Sequence, residues 1–222
     1  MNQRLSQYGK IVFFVLLMGV ITATLLTVTD LLTKGLIEQN DLTLRQSTVL
    51  RSQGVTDFTN DNLAEVFEAE IETIQGTVVY KKYTEENPLE LVAYRNKTTL
   101  SVTIEFNKNF GAGVWGPIVG FLTLEDDLET IESVAIISQK ETPGLGAKVK
   151  EAKFLDELKD KMMVPELRID KTQDSAALEN YVTSIVGATR TSKQFELLLN
   201  ETYRVQINPS GNADWENSLG VI

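Results

Sequence analysis

The sequence predicts an α+β domain behind a single membrane-spanning helix, and three observations carry that reading. An uncharged apolar run stands near the N-terminus, from Ile11 to Thr29. Further on, segments rich in Val, Ile, Tyr and Leu follow one another across turns too short for helical crossovers. Apolar residues at helical spacing stand apart from those segments, after Glu151 and after Thr191. Strands in series with helices segregated from them define the α+β class. The expected organisation is an N-terminus and anchor over 1–30, a juxtamembrane helical segment over 31–75, and an extracytoplasmic domain over 76–222.

The anchor comes first. No charge occurs between Lys10 and Asp30. At 1.5 Å per residue the run spans roughly 28 Å, close to the hydrocarbon thickness of a bilayer. It is long for the core of a signal peptide and no Ala-x-Ala-like site follows it, so a retained helix is expected. Arg4 and Lys10 precede the run and Asp30 follows it. The positive-inside rule then puts the N-terminus in the cytoplasm and the large domain outside the cytoplasmic membrane.

Leu32, Leu36, Ile37 and Leu44 continue a partly apolar helical face to about Leu50, and Asn62 to about Ala69 forms a second, short helix. Then the period changes to two. Thr77–Tyr83 and Leu89–Tyr94 read as strands separated by the turn residues Glu85-Glu86-Asn87-Pro88. Leu100–Phe106 alternates apolar with polar residues, as a half-buried strand does. Ile118–Leu124 and Ile131–Ile137 are joined across Glu125-Asp126-Asp127, which completes an antiparallel meander.

Glu151 to about Met162 returns to helical spacing, with Phe154, Leu155 and Leu158 on one face. Leu167–Ile169 reads as a short strand, Ala176–Ile185 is ambiguous, and the polar tail from Asn208 to Gly220 reads as irregular. Between them lies a last helix with Phe195, Leu198 and Leu199 at helical spacing. Thr191 with Gln194 three residues on resembles a capping box, which puts the helix start near Thr191.

Composition excludes more than it selects. A hydrophobic content of 42% is enough for a core, and a net charge of −10 argues against nucleic acid as a partner. The chain has no Cys and no His. That removes thiolate-held iron–sulfur clusters, disulfides, His-bearing metal sites and the Ser–His and Cys–His nucleophile pairs. Any redox chemistry has to come from a bound organic cofactor.

Two stretches are built to receive a ligand. In Val186-Gly187-Ala188-Thr189-Arg190-Thr191-Ser192, small residues precede a helix start whose free amides and dipole favour a phosphate. In Glu141-Thr142-Pro143-Gly144-Leu145-Gly146, Pro143 and the glycines make a tight loop with exposed amides, suited to a flat polar ring or an anion.

Gly187-Ala188-Thr189-Arg190-Thr191-Ser192 resembles the flavin-attachment motif of the FMN-binding subunits of two respiratory complexes. These are the G subunit of the Rnf complex and the C subunit of the sodium-translocating NADH:quinone reductase. Lys140-Glu141-Thr142-Pro143-Gly144-Leu145-Gly146 is similar to the flavin-binding loop of the same family, and Gly113-Val114-Trp115-Gly116-Pro117-Ile118 to a further family fragment. The chain departs from the pattern at Thr183 and Val186, where the family usually has Asp and then Ser or Thr. Those positions belong to what the flavin transferase reads.

The resemblance implies one covalent FMN, held by a phosphoester on Thr189. Gly187, Ala188 and the amides of Thr191 and Ser192 would hold the phosphate. Glu141, Thr142, Leu145 and Gly146 would line the ring, with Gly144 allowing close approach and Lys148 balancing charge. Trp115 would stand near the ring or plug the core. The implied role is an electron-relay subunit of a redox-driven ion translocase, without acid–base catalysis of its own. Its partners would be the membrane and iron–sulfur subunits of that complex. Compact length and Lys140-Glu141 lean towards Rnf, whereas Trp-Gly-Pro-Ile leans towards the quinone reductase. A tethered domain with non-covalent flavin, or an anchored structural subunit without cofactor, is the reading of a different class.

Overall fold

The computed structural model describes residues 2–81, 83–171 and 179–207. The expected polar tail and the start of the ambiguous Ala176–Ile185 segment lie outside them. Two compact units result, Met1–Arg45 and Gln46–Ile222.

The first unit is helix, the greater part of α1 (Asn2–Ser52). It is long and apolar enough to cross a membrane, and its large side chains from Ile11 to Val28 are exposed. The threonines in this stretch do not leave free hydroxyls. Thr22, Thr24, Thr27 and Thr29 each donate to the carbonyl four residues back, at 2.8–2.9 Å. Internal satisfaction of every polar group is what a hydrocarbon environment demands.

The second unit is built on a five-stranded antiparallel sheet in sequence order: β1 (Ile71–Val78), β2 (Leu89–Asn96), β3 (Val102–Phe106), β4 (Val119–Leu124) and β5 (Ile131–Ser138). The expected meander is therefore present, with one strand displaced. β1 starts directly after α2 (Leu63–Glu70) rather than at Thr77. Burial explains the difference, because Ile71, Ile74 and Val78 face inward along it. Beyond Val78 the backbone amides of Tyr80 and Tyr83 bond each other's carbonyls around Lys81, which sits at φ 53, and this turn ends the strand.

Both faces of the sheet are covered. On one, Val102, Ile104, Phe106, Leu122 and Leu124 pack with Phe154, Leu158 and Phe195. On the other, Phe121 packs with Val49 and Leu50 of α1, Leu63 and Phe67 of α2, and Ile71. β3 is thus a central strand rather than the half-buried one its alternation predicts. Its polar Thr103 is buried and paired with Thr123 Oγ1 at 2.8 Å and Gln53 Nε2 at 2.9 Å, while Thr123 donates to Ser52 Oγ at 2.9 Å. Buried hydroxyls linked in this way mimic a polar solvent face in sequence.

Where β4 meets its neighbours the space is tight. A Cβ on Gly120 would stand 2.0 Å from the Ala135 carbonyl oxygen and 2.6 Å from Phe106 Cζ. Gly120→Ala is therefore expected to destabilise the domain by about 1–3 kcal/mol through overpacking, read from the urea midpoint. An unchanged midpoint would show that the strand gives way freely.

The long helix expected from Glu151 is cut short. A 3₁₀ turn (Gly146–Lys150) leads into α3 (Ala152–Asp156), and the chain then leaves helical geometry, with Asp160 at φ 61. The stretch that follows is drawn to the β4–β5 turn: Ile131 N–H donates to the Lys161 carbonyl and Asp160 N–H to that of Ile131, both at 2.8 Å. Phe154 and Leu158 are still buried, as their spacing predicted.

β6 (Arg168–Asp170) pairs in parallel with β7 (Tyr181–Thr183), which resolves the described part of the ambiguous segment as strand. α4 (Thr189–Gln206) holds this pair. Glu196 Oε2 accepts the Ile169 amide at 2.7 Å, and the Asn200 side chain bonds both backbone groups of Leu167. Phe195 meets Phe106 edge-to-face at 5.7 Å, so α4 is seated on the sheet as well.

A candidate flavin site at the start of α4

α4 begins at Thr189, two residues before the position a Thr191–Gln194 capping box predicts. Ala188 occupies the N-cap and, among the described residues, no side chain caps the helix. The amides of Thr189, Arg190 and Thr191 are consequently without intrahelical acceptors at the positive end of the dipole. Thr191 is not a cap because its hydroxyl is already used. It is buried and donates to Glu141 Oε2 at 2.7 Å.

The turn in front of the helix is held by Ser192. Its Oγ accepts the Ile185 amide at 3.0 Å and donates to the Ala188 carbonyl at 3.1 Å. The Ser192 amide, expected to face a phosphate, donates to that same carbonyl at 3.0 Å. Gly187 has φ +82, a conformation that lets the chain turn into the helix and that L side chains rarely adopt. Thr189 and Arg190 are exposed, and Val186 is 88% exposed.

The second stretch comes to the same place. In the loop from Glu141, the Thr142 carbonyl accepts the amides of Leu145 at 3.2 Å and Ala147 at 3.0 Å, closing it on itself. Gly144 turns the chain at φ +75 with open space around it. Leu145 is 47% exposed and borders the turn before α4: a Cβ on Gly187 would be 3.2 Å from Leu145 Cδ2. Gly146 is buried against Thr191 Oγ1 and Glu141 Oε2, where a Cβ would come within 2.6 and 2.8 Å.

Glu141 and Trp115, both expected at the site, differ sharply in exposure. Glu141 is buried, 4% exposed, and its carboxylate faces inward to protein donors. Trp115 is 71% exposed and does not plug the core. Its amide donates to Glu141 Oε1 at 2.9 Å, which brings the third sequence fragment to the other two. Lys148 lines a cleft of about 380 Å³ together with Glu151, Lys153, Phe154, Glu157 and the segment 183–186. Lys153, Phe154, Ser184 and Ile185 lie outside the motifs that the sequence offers for the site. They come from two segments far apart in the chain and share no local motif.

The residues present fit a flavin phosphate. An uncapped helix start and an exposed hydroxyl at its first position suit a phosphate, and the neighbouring cleft, where two lysines and two glutamates surround one phenylalanine, has room for a flat ring. Among the described residues no group of acidic side chains is arranged to hold a metal ion.

Comparison with known proteins agrees with that geometry. Residues 113–204 match the family described as the FMN-binding domain. The chain is 34% identical over 77 residues to the C subunit of the Na(+)-translocating NADH-quinone reductase of Chlamydia pneumoniae, covering 35% of this chain and 22% of that one. It is 32% identical over 97 residues to the C subunit of the corresponding Pseudomonas aeruginosa reductase, covering 40% and 37%. The chain thus spans well under half the length of these curated relatives. Among solved structures, the C subunit of the Parabacteroides distasonis reductase superposes with a TM-score of 0.62 at 24% identity, covering 81% of this chain and 98% of that one. NqrC of Shewanella oneidensis gives 0.64 at 17% identity, covering 83% and 98%. These two likenesses establish the fold. From the Trp115 loop through α4 the chain is thus similar to the FMN-binding domain family, and it has the fold of the solved C subunits of sodium-translocating NADH-quinone reductases.

Proposed function

We propose that the chain is a membrane-anchored electron-relay subunit of a redox-driven ion-translocating complex, carrying one FMN esterified to Thr189. The observation that supports this best is Thr189 itself, an exposed hydroxyl at the first position of an uncapped helix inside the FMN-binding region. FMN supplies one- and two-electron chemistry that a chain without Cys or His lacks.

The chain's own residues do the binding. Thr189 Oγ would hold the flavin through its phosphate as an ester, the product being one water lighter than threonine and FMN together. The amides of Thr189, Arg190 and Thr191 hold the phosphate oxygens, and Gly187 with Ala188 keeps side chains out of their way. Leu145 and Trp115 offer exposed apolar surface beside that point, while Thr142 and Gly144 shape the loop and Lys148 balances charge. The test is whether flavin survives denaturation. In-gel fluorescence and a mass higher by one FMN less one water are the expected result; flavin lost in denaturant would leave a non-covalent carrier.

Two complexes share this chemistry. The Rnf reading rests on chain length and Lys140-Glu141, and the quinone-reductase reading on the names of the relatives, which bring it level. Purifying the complex and assaying NADH-dependent quinone reduction against ferredoxin-dependent NAD reduction separates them.

The proposed arrangement keeps the anchor in the cytoplasmic membrane, with residues 76–222 on the extracytoplasmic side. Arg4 and Lys10 before the apolar run support it. Protease added to intact cells stripped of their outer layer should digest the domain. Protection that is lost only in inverted vesicles would reverse the orientation.

A further inference from the structure

We propose that Glu141 is a positioning residue, whose buried carboxylate ties the Trp115 loop to the first turn of α4 and so fixes the Trp115 indole relative to the flavin. The inference rests on the flavin reading above and moves Glu141 from the ring's edge to the frame that holds it.

Both carboxylate oxygens are used, and each reaches a different segment. Oε1 accepts the Trp115 amide at 2.9 Å, and Oε2 accepts the Thr191 hydroxyl at 2.7 Å. Those partners are 26 and 50 residues away in sequence, so no local turn brings them together. Thr191 lies in the same helical turn as Thr189. One carboxylate is therefore the common reference for the tryptophan loop and for the proposed attachment point.

The glycines show that the three segments close on Glu141 at bare backbone. A Cβ on Gly113 would be 2.4 Å from Oε1, and one on Gly146 would be 2.8 Å from Oε2. Among the described residues nothing of comparable kind holds the indole, which is 71% exposed. A side chain with so little packing takes its place from its backbone, and that backbone is held through Glu141. A carboxylate also has the reach and the two acceptors this needs, whereas a shorter or neutral apolar residue would leave a buried amide and hydroxyl unpaired.

The test uses the full-length, flavin-loaded protein in a Trp215→Phe background, where Trp115 is the sole indole. FMN stoichiometry is read by absorbance and Trp115 emission by fluorescence. Wild-type emission is expected to be strongly quenched. Glu141→Ala should raise it several-fold at unchanged FMN content, while Glu141→Gln, whose amide oxygen still accepts the Trp115 N–H, stays quenched. If Glu141→Ala does not fold, Gly113→Ala and Thr191→Val replace it, each loosening one limb and each expected to raise emission. Equal quenching in wild type and in the loosened variants, or an unquenched wild type that carries FMN, overturns the inference alone. Wild-type protein without FMN overturns the flavin reading and this inference together.

Discussion

Thr189→Ala is expected to remove FMN from the denatured chain completely, while leaving a folded domain. Thr189 is exposed at the first position of α4, and alanine is the better helix former, so stability should change by no more than about 0.5 kcal/mol. The neighbouring hydroxyls are poor substitutes. Thr191 is buried on Glu141, and Ser192 is bonded to both Ile185 and Ala188. Loss of the added mass and of in-gel fluorescence, with an unchanged circular dichroism spectrum, is the result that agrees. Thr189→Ser should keep the flavin. Mass retained in Thr189→Ala would move the acceptor to another residue. Thr183 and Val186, where the chain departs from the family pattern, are both exposed. Replacing them by Asp and Ser should therefore raise flavin occupancy without a folding penalty.

Phe195→Ala is expected to cost about 3–5 kcal/mol, the range for emptying a buried aromatic site. Phe195 is fully buried, edge-to-face with Phe106 at 5.7 Å and tilted against Phe154 at 6.1 Å. It is the point where α4, α3 and the sheet meet. A loss of that size is a large share of the stability of an ordinary domain. Urea unfolding followed by circular dichroism measures it, and a loss below about 1 kcal/mol would mean that the cavity collapses freely. Because α4 begins with Thr189, flavin occupancy in cells should fall with the folded fraction.

Periodicity was legible wherever one contact dominated. β2, β4 and β5 fall within a few residues of their expected positions, because apolar runs and short turns decide them. β1 lies earlier than its composition predicts, because Thr77–Tyr83 has strand composition whereas Ile71, Ile74 and Val78 have the burial. β3 is more buried than its alternation predicts, because Thr103 looks like a solvent-facing residue and is a buried, hydrogen-bonded one. The helix after Glu151 is shorter than its spacing predicts, because nothing local announces that Lys161 will pair with Ile131.

At the site, the motifs located the three segments but not their bonds. Glu141 meets Trp115 and Thr191 only after the chain has folded, so a sequence pattern read in order places it in a loop and says nothing of its partners. Thr191 shows the same limit. Its spacing to Gln194 satisfies a capping pattern, yet a carboxylate 50 residues away has taken its hydroxyl.

The uncapped start of α4 has a consequence for protein turnover. A polar N-cap side chain stabilises a helix by about 1 kcal/mol, and a carboxylate there sets a fixed negative charge at its start, whereas Ala188, buried against the core, offers neither. With alanine there, the flavin-free chain forgoes that stability, and a phosphate held at Thr189 as proposed would supply the missing anion. Empty and loaded protein would then differ in resistance to unfolding. Proteases that sample open states would discriminate between them without recognising flavin at all, and cofactor supply would set the subunit's half-life.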